Sequence, residues 1–226
     1  MEIAVLYLYA YLVGSMPTAY LIGKLVSGID IREYGSGNVG GTNLAQHVGK
    51  WWLIPLSIVD VLAKGTSPVL VGHYVLGLDK ASIALLLAPT LAVTGHNWSA
   101  FMRFQGGRGV AVFSGVLLAL SPILLGAFLL VFSVGWLITR SAGIWVLLAL
   151  IALPIWALVA GQPASLSWFC VAMLTLVILK RLLSNNVSMP EGVPRRQVLL
   201  NRLLKDRDVG DREEWINREP AATNSK

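Results

Sequence analysis

Cysteine, histidine and charge are all scarce in this chain, and each shortage excludes something. Cys170 is the one cysteine, so no internal disulfide can form. It lies in an apolar run without an activating neighbour, where a thiol packs as a small inert hydrophobe. There are 3 histidines, and no grouping of His, Cys, Asp or Glu has the spacing of a metal site. No convincing nucleophile, histidine and acid set is present either, so nothing speaks for a triad mechanism. Charged residues make up 13% of the 226 positions, against roughly 25% in soluble proteins. Between residues 81 and 179 the only charged side chains are Arg103, Arg108 and Arg140. A soluble domain of that length is excluded. The amino terminus lacks the basic stretch of a cleaved secretory signal, since Glu2 is its only charge.

Apolar residues are abundant, at 55% of the chain. They gather in seven stretches, at about 3–26, 51–78, 81–101, 110–120, 123–139, 143–160 and 164–179. A straight membrane span needs about 20 residues, so the fourth stretch is short. It either begins at Gly106 or is partly re-entrant. Gly14, Ser15 and Pro17 place a break inside the first stretch, and Lys64-Gly65 are expected to interrupt the second. Lys24, Arg32 and Lys50 flank the first connection, Arg103 and Arg108 the third, Arg140 the fifth, and Lys180 and Arg181 open the tail. With seven spans these all fall on one side, opposite Lys80 alone. Basic residues mark the cytoplasmic side, which puts the amino terminus outside and the tail inside. The expected fold class is all-α: a polytopic integral membrane protein of about seven transmembrane helices.

The chain then divides into a transmembrane domain, 1–183, and a cytoplasmic tail, 184–226. Val198, Leu199, Leu200, Leu203 and Leu204 suit a short amphipathic helix on the membrane surface. Beyond Lys205 the mixed charges are expected to be disordered. The net charge of +6 fits this topology and an anionic lipid surface better than nucleic acid.

Polar residues concentrate in a few islands. GSGNVGGTN, residues 35–43, combines four glycines, two asparagines, a serine and a threonine around a single valine. Such a loop is not expected to pack as a core; it can bend tightly and aim backbone N–H groups at an anion. The spacing approaches a nucleotide-binding P-loop, but Gly41 stands where the lysine must be and no strand precedes it. A second island, GHNWSAFMRFQGGRGV at residues 95–110, sets Gly106, Gly107 and Gly109 around Arg108 just before an apolar helix, with His96 earlier, near the cytoplasmic end of the third stretch. Helix-start N–H groups and a guanidinium make a second anion site. A third is the turn around Arg140. In the second stretch, Asp60 and Lys64 are four residues apart and share a helix face, where pairing offsets the cost of buried charge.

Together, Gly14, Ser15 and Pro17, the segment DIREYGSGNVGGTN, Asp60 with Lys64-Gly65, and GHNWSAFMRFQGGRGV resemble the bacterial acyl-phosphate-dependent glycerol-3-phosphate acyltransferases. The resemblance covers roughly residues 5–180, with a fainter echo near Asn201 and Arg202. It implies a multi-pass enzyme of phospholipid synthesis in the bacterial inner membrane, with its active site on the cytoplasmic face. The implied reaction moves a fatty acyl group from acyl phosphate to the sn-1 hydroxyl of glycerol 3-phosphate, giving lysophosphatidic acid and phosphate. An acyl phosphate is already activated, so the protein need only hold two anions close and stabilise developing charge. No metal or cofactor is implied. The partners are the two substrates and membrane lipid, with room for the soluble enzyme that makes acyl phosphate.

The resemblance also implies roles. Ser36, Gly37, Asn38, Gly40, Thr42 and Asn43 would cradle the donor phosphate, with Ser36, Asn38 and His96 catalytic. Gly106, Gly107, Arg108 and Gly109 would hold phosphate, with Arg140 a further contact and Asp60 and Lys64 in support. The chain departs from the family at Gln46, where an arginine is usual, and at Gln105 and Arg108, where lysines are. It also departs at Gly143, Val146, Arg196 and Leu199. These departures favour a second reading, a non-catalytic relative that binds anionic lipid or regulates the true enzyme. A small-solute transporter is a third, but its polar residues belong at the midplane rather than at one face.

Overall fold

A computed structural model of the chain describes residues 1–185, 192–216 and 218, and among them every regular element is a helix. In order these are α1 (Glu2–Ser15), α2 (Thr18–Ser27), α3 (Gly41–His47), α4 (Lys50–Val75), α5 (Ile83–Asn97), α6 (Val110–Leu120), α7 (Pro122–Thr139), α8 (Ala142–Val159) and α9 (Ala164–Leu183), then α10 (Arg195–Lys205) and α11 (Arg212–Ile216) in the tail. All seven apolar stretches are helical. Five are long and apolar enough to cross a membrane: α1 with α2, α4, α7, α8 and α9. The other two, α5 with 15 residues and α6 with 11, are shorter.

The break in the first stretch falls at Met16 and Pro17, between α1 and α2. Proline has no N–H to continue the ladder. Gly14 has a separate task. A Cβ there would lie 2.1 Å from the Ala92 carbonyl oxygen, and one at Gly95 would lie 2.3 Å from that of Tyr11. Glycine thus lets the α1 and α5 backbones touch.

The expected interruption at Lys64-Gly65 is absent. Instead α4 widens into a π-helical stretch, Val59–Thr66, and continues. The reason lies in its neighbour. A Cβ at Gly65 would sit 2.1 Å from Val112 O, and one at Gly115 would sit 1.9 Å from Val61 O, so α4 and α6 meet backbone to backbone. The Thr66 hydroxyl reaches both Val61 O and Gly115 O, at 3.0 and 2.9 Å. The first is a carbonyl of the wide turn, and the second ties α4 to α6. Helix α6 starts at Val110 rather than Gly106.

The main core runs between α1, α4, α5, α6, α7, α8 and α9, with Phe113 of α6 meeting Phe128 of α7 edge-on at 6.4 Å. Outward faces stay apolar: Leu8, Ile58, Leu130, Ile138, Ile155 and Trp168 are all exposed. Apolar surface on this scale needs lipid around it. A smaller cluster (Ala19, Ile31, Val39, Leu44, Leu56 and Met102) lies beneath the first glycine loop. The single valine of that loop, Val39, is only 5% exposed, so the loop does have a packed anchor, contrary to expectation.

The tail docks on the bundle. Helix α10 is amphipathic, and its buried Val198, Asn201 and Arg202 face α8 and α9. Arg202 donates to Leu182 O at 3.1 Å and pairs with Asp208. The disorder expected beyond Lys205 does not hold for residues 206–216: Asp208 and Val209 are buried, and α11 forms. Charge pairing and Val209 seat this segment. The final residues, 219–226, lie outside the described residues.

Candidate active site

The first glycine loop is shaped by turns that need glycine. Gly35 and Gly37 have φ of +52° and +64°. The Gly37 N–H donates to Tyr34 O at 2.9 Å, and the Asn38 N–H donates to the Ser36 hydroxyl at 3.1 Å. Asn43 pins the loop from inside: its amide nitrogen lies 2.9, 3.0 and 3.1 Å from the carbonyl oxygens of Ile31, Tyr34 and Asn38. Its donors are therefore spent on the backbone, and the structure makes Asn43 a brace rather than a free phosphate donor. Gly40 precedes α3, whose first-turn N–H groups have no acceptor within the helix. Upstream, Arg32 clasps Asp30 through two bonds of 2.9 and 2.6 Å and reaches Gln105 at 3.4 Å. That guanidinium holds the Asp30 carboxyl below its usual range, so the pair stays charged at neutral pH.

The second island folds back on the end of α5. The Gly107 N–H donates to His96 O at 3.0 Å. A Cβ at Gly107 would lie 2.1 Å from the His96 ring nitrogen Nε2, so only glycine lets the imidazole sit here. Gly109 ends the loop at φ +75°, with Asn97 against it. The two loops join directly where the Val39 N–H reaches Gly106 O at 3.4 Å.

Between the loops opens a cavity of about 560 Å³. Asn38, Gly40, Thr42, Asp60, His96 and Arg108 all line it, so residues spread over 70 positions converge on one space. Its other wall is apolar, with Val110, Leu125, Leu129, Phe132 and Val146. A neighbouring cavity of about 670 Å³ holds Ser36, Gln46 and Arg140, and shares Asn38 and Thr42 with the first. Arg140 is exposed, its guanidinium 5.2 Å above the Trp136 ring. Asp60 and Lys64 form the expected ion pair at 2.5 Å, both almost fully buried.

Arg108 is not an open cation. Its Nη1 donates to Lys180 O at 2.7 Å, and its Nε is 2.8 Å from the Asp206 carboxylate. Arg181 approaches the same carboxylate at 4.0 Å. Asp206 also lines both cavities. Sequence reading passed over Asp206, as well as Arg181 and Lys180, which it took only as markers of topology. Asn185 was likewise missed. Of the departures from the family, Gly143 now has a reason: a Cβ there would lie 2.8 Å from the Lys205 carbonyl, so glycine lets the tail close in. Arg196 is exposed.

The fold and this chamber define a helical membrane protein with a polar site against an apolar wall. The sequence pattern of the family "Glycerol-3-phosphate acyltransferase" matches residues 4–189. Glycerol-3-phosphate acyltransferase 4 of Dehalococcoides mccartyi (strain CBDB1) is 33% identical over 219 residues, covering 94% of this chain and 92% of that one. Glycerol-3-phosphate acyltransferase 2 of Moorella thermoacetica is 47% identical over 116 residues, 51% of this chain and 57% of the relative. A crystal structure of PlsY, an integral membrane glycerol 3-phosphate acyltransferase in its glycerol 3-phosphate form, superposes with a TM-score of 0.76. It is 31% identical, and the match covers 92% of this chain and 95% of that one. The lysophosphatidic acid form superposes with a TM-score of 0.74. The chain belongs to the glycerol-3-phosphate acyltransferase family, and it is an all-helical, multi-pass membrane protein.

Proposed function

We propose that this protein transfers a fatty acyl group from acyl phosphate to the sn-1 hydroxyl of glycerol 3-phosphate, at the cytoplasmic face of a bacterial inner membrane. One observation carries the reading. A single cavity joins the first glycine loop, His96 and Arg108 to an apolar wall from α6, α7 and α8. That is the shape a substrate with a phosphate head and an acyl chain requires. The relatives solved with glycerol 3-phosphate and lysophosphatidic acid supply the acceptor and product in this reading.

The chemistry needs little beyond placement. The hydroxyl oxygen of the acceptor forms a bond to the acyl carbon, the bond from that carbon to phosphate oxygen breaks, and the hydroxyl proton leaves with phosphate. The N–H groups at the start of α3, around Gly41 and Thr42, with the Asn38 side chain, stabilise the donor phosphate as it takes on charge. Arg108 and Arg181 supply positive charge, and His96 orients the acceptor. Leu125, Leu129 and Phe132 take the acyl chain.

One feature favours the second reading, a non-catalytic binder of anionic lipid: a carboxylate, Asp206, already occupies Arg108. Phosphate release decides between them. The purified protein receives acyl phosphate with and without glycerol 3-phosphate. Acceptor-dependent release, with lysophosphatidic acid as product, is expected. A folded sample without turnover assigns the chain to the binding class.

A further inference from the structure

Asn185 lies just after the end of α9 at Leu183. Its carboxamide makes four contacts. The Oδ1 atom accepts from the Gly106 N–H at 3.2 Å and from Lys180 Nζ at 2.7 Å. The Nδ2 atom donates to Gly37 O at 3.1 Å and to Gly106 O at 2.7 Å. One side chain thus grips the first glycine loop at Gly37 and the second at Gly106, on both its N–H and its C=O.

The arrangement admits one chemical group. Two carbonyls demand donors and two N–H sources demand an acceptor, so only a primary amide satisfies all four. The backbone settles which way the amide points, because the Gly106 N–H can only donate and the Gly37 and Gly106 carbonyls can only accept. Lys180 is itself fully buried and lies 5.3 Å above the Trp98 ring, so it cannot swing away to water. The other bonds described above between these two segments are both long, from the Val39 N–H to Gly106 O and from Arg32 to Gln105, each at 3.4 Å.

We infer that Asn185, held by Lys180, is a positioning residue that fixes the distance between the two glycine loops and so between donor and acceptor. This rests on the acyltransferase reading, in which each loop holds one phosphate. Each site binds its own anion without Asn185. What Asn185 adds is their mutual alignment, and a displacement of an ångström at a reacting centre can lower a rate by about 100-fold.

The test compares wild type with Asn185→Ala, Asn185→Asp and Asn185→Gln in two assays. In steady-state transfer, Asn185→Ala is expected to lower kcat by about 100-fold while the KM for each substrate stays near the parent value. Asn185→Asp is expected to do no better, because it sets a carboxylate against two carbonyls, whereas Asn185→Gln keeps the amide and recovers part of kcat. Hydrogen exchange needs no turnover. The alanine variant should exchange faster at residues 35–43 and 104–109 together, with α5 and α6 unchanged. Wild-type exchange in both loops overturns the inference, as does a KM rise that accounts for the whole kinetic loss. Turnover by wild type is read separately: without it the acyltransferase reading fails, and the exchange result alone decides whether Asn185 ties the loops.

Discussion

At the scale of single residues, charge pairing governs what the site can do. Asp206 and a substrate phosphate compete for the same guanidinium, so removing the carboxylate should favour phosphate. Asp206→Asn is expected to lower the KM for the substrate held by Arg108 several-fold, since every factor of ten is worth about 1.4 kcal/mol. A higher KM would show that Asp206 instead sets Arg108 in its working position. Asp60 and Lys64 make a second test. Both are buried, so removing one partner strands the other, at a cost of about 3–5 kcal/mol. Asp60→Asn and Lys64→Met should each lower the thermal midpoint in detergent, and the double variant should lie closer to wild type than either single change. If the double variant falls by the sum of the singles, the two residues are not coupled. The sequence disclosed this pair through its i, i+4 spacing alone. It could not disclose Asp206, because nothing near residue 206 marks a partner almost a hundred positions upstream.

Helix contacts set the second scale. Glycines at 14, 65, 95 and 115 let backbones touch, and each would drive an added Cβ into a carbonyl oxygen. Gly126 on α7 has nothing within 4 Å of that position. Gly115→Ala should therefore reduce the yield of folded protein and shift its melting sharply downward. Gly126→Ala should be neutral or slightly stabilising, by about 0.5–1 kcal/mol from helix propensity. Equal effects in the two variants would argue against backbone contact between α4 and α6. The helices themselves were legible as apolar stretches, and the first break was legible from Pro17. The course of α4 was not. Lys64-Gly65 reads as an interruption only while Gly115 is out of view; against α6 the same glycine lets the helix run on in a wider turn.

For the molecule as a whole, the glycine islands and the tail meet through Gly37, Gly106, Asn185 and Lys205 at one end of the bundle. Seven crossings with the amino terminus outside would put that end in the cytoplasm. Cysteine labelling in intact cells checks this cleanly, because Cys170 is buried and contributes little background. A cysteine at Gln162 should react with an impermeant reagent from outside, and one at Ser141 only after the membrane is opened. The reverse pattern would invert the topology and move the proposed site to the outer face.

Sequence alone determined the class of protein, the positions of its apolar helices and the three glycine or arginine islands. Hydrophobic length, proline breaks and glycine content are local properties, and each is written where it acts. The islands converge through contacts that are not local. Asn185 reaches Gly37 across 148 positions, Arg108 finds Asp206 in a tail expected to be disordered, and Asn43 turns inward to brace its own loop. Only the packed helices bring those groups within bonding distance, so the tertiary structure decided which residues face the cavity and which hold it in shape.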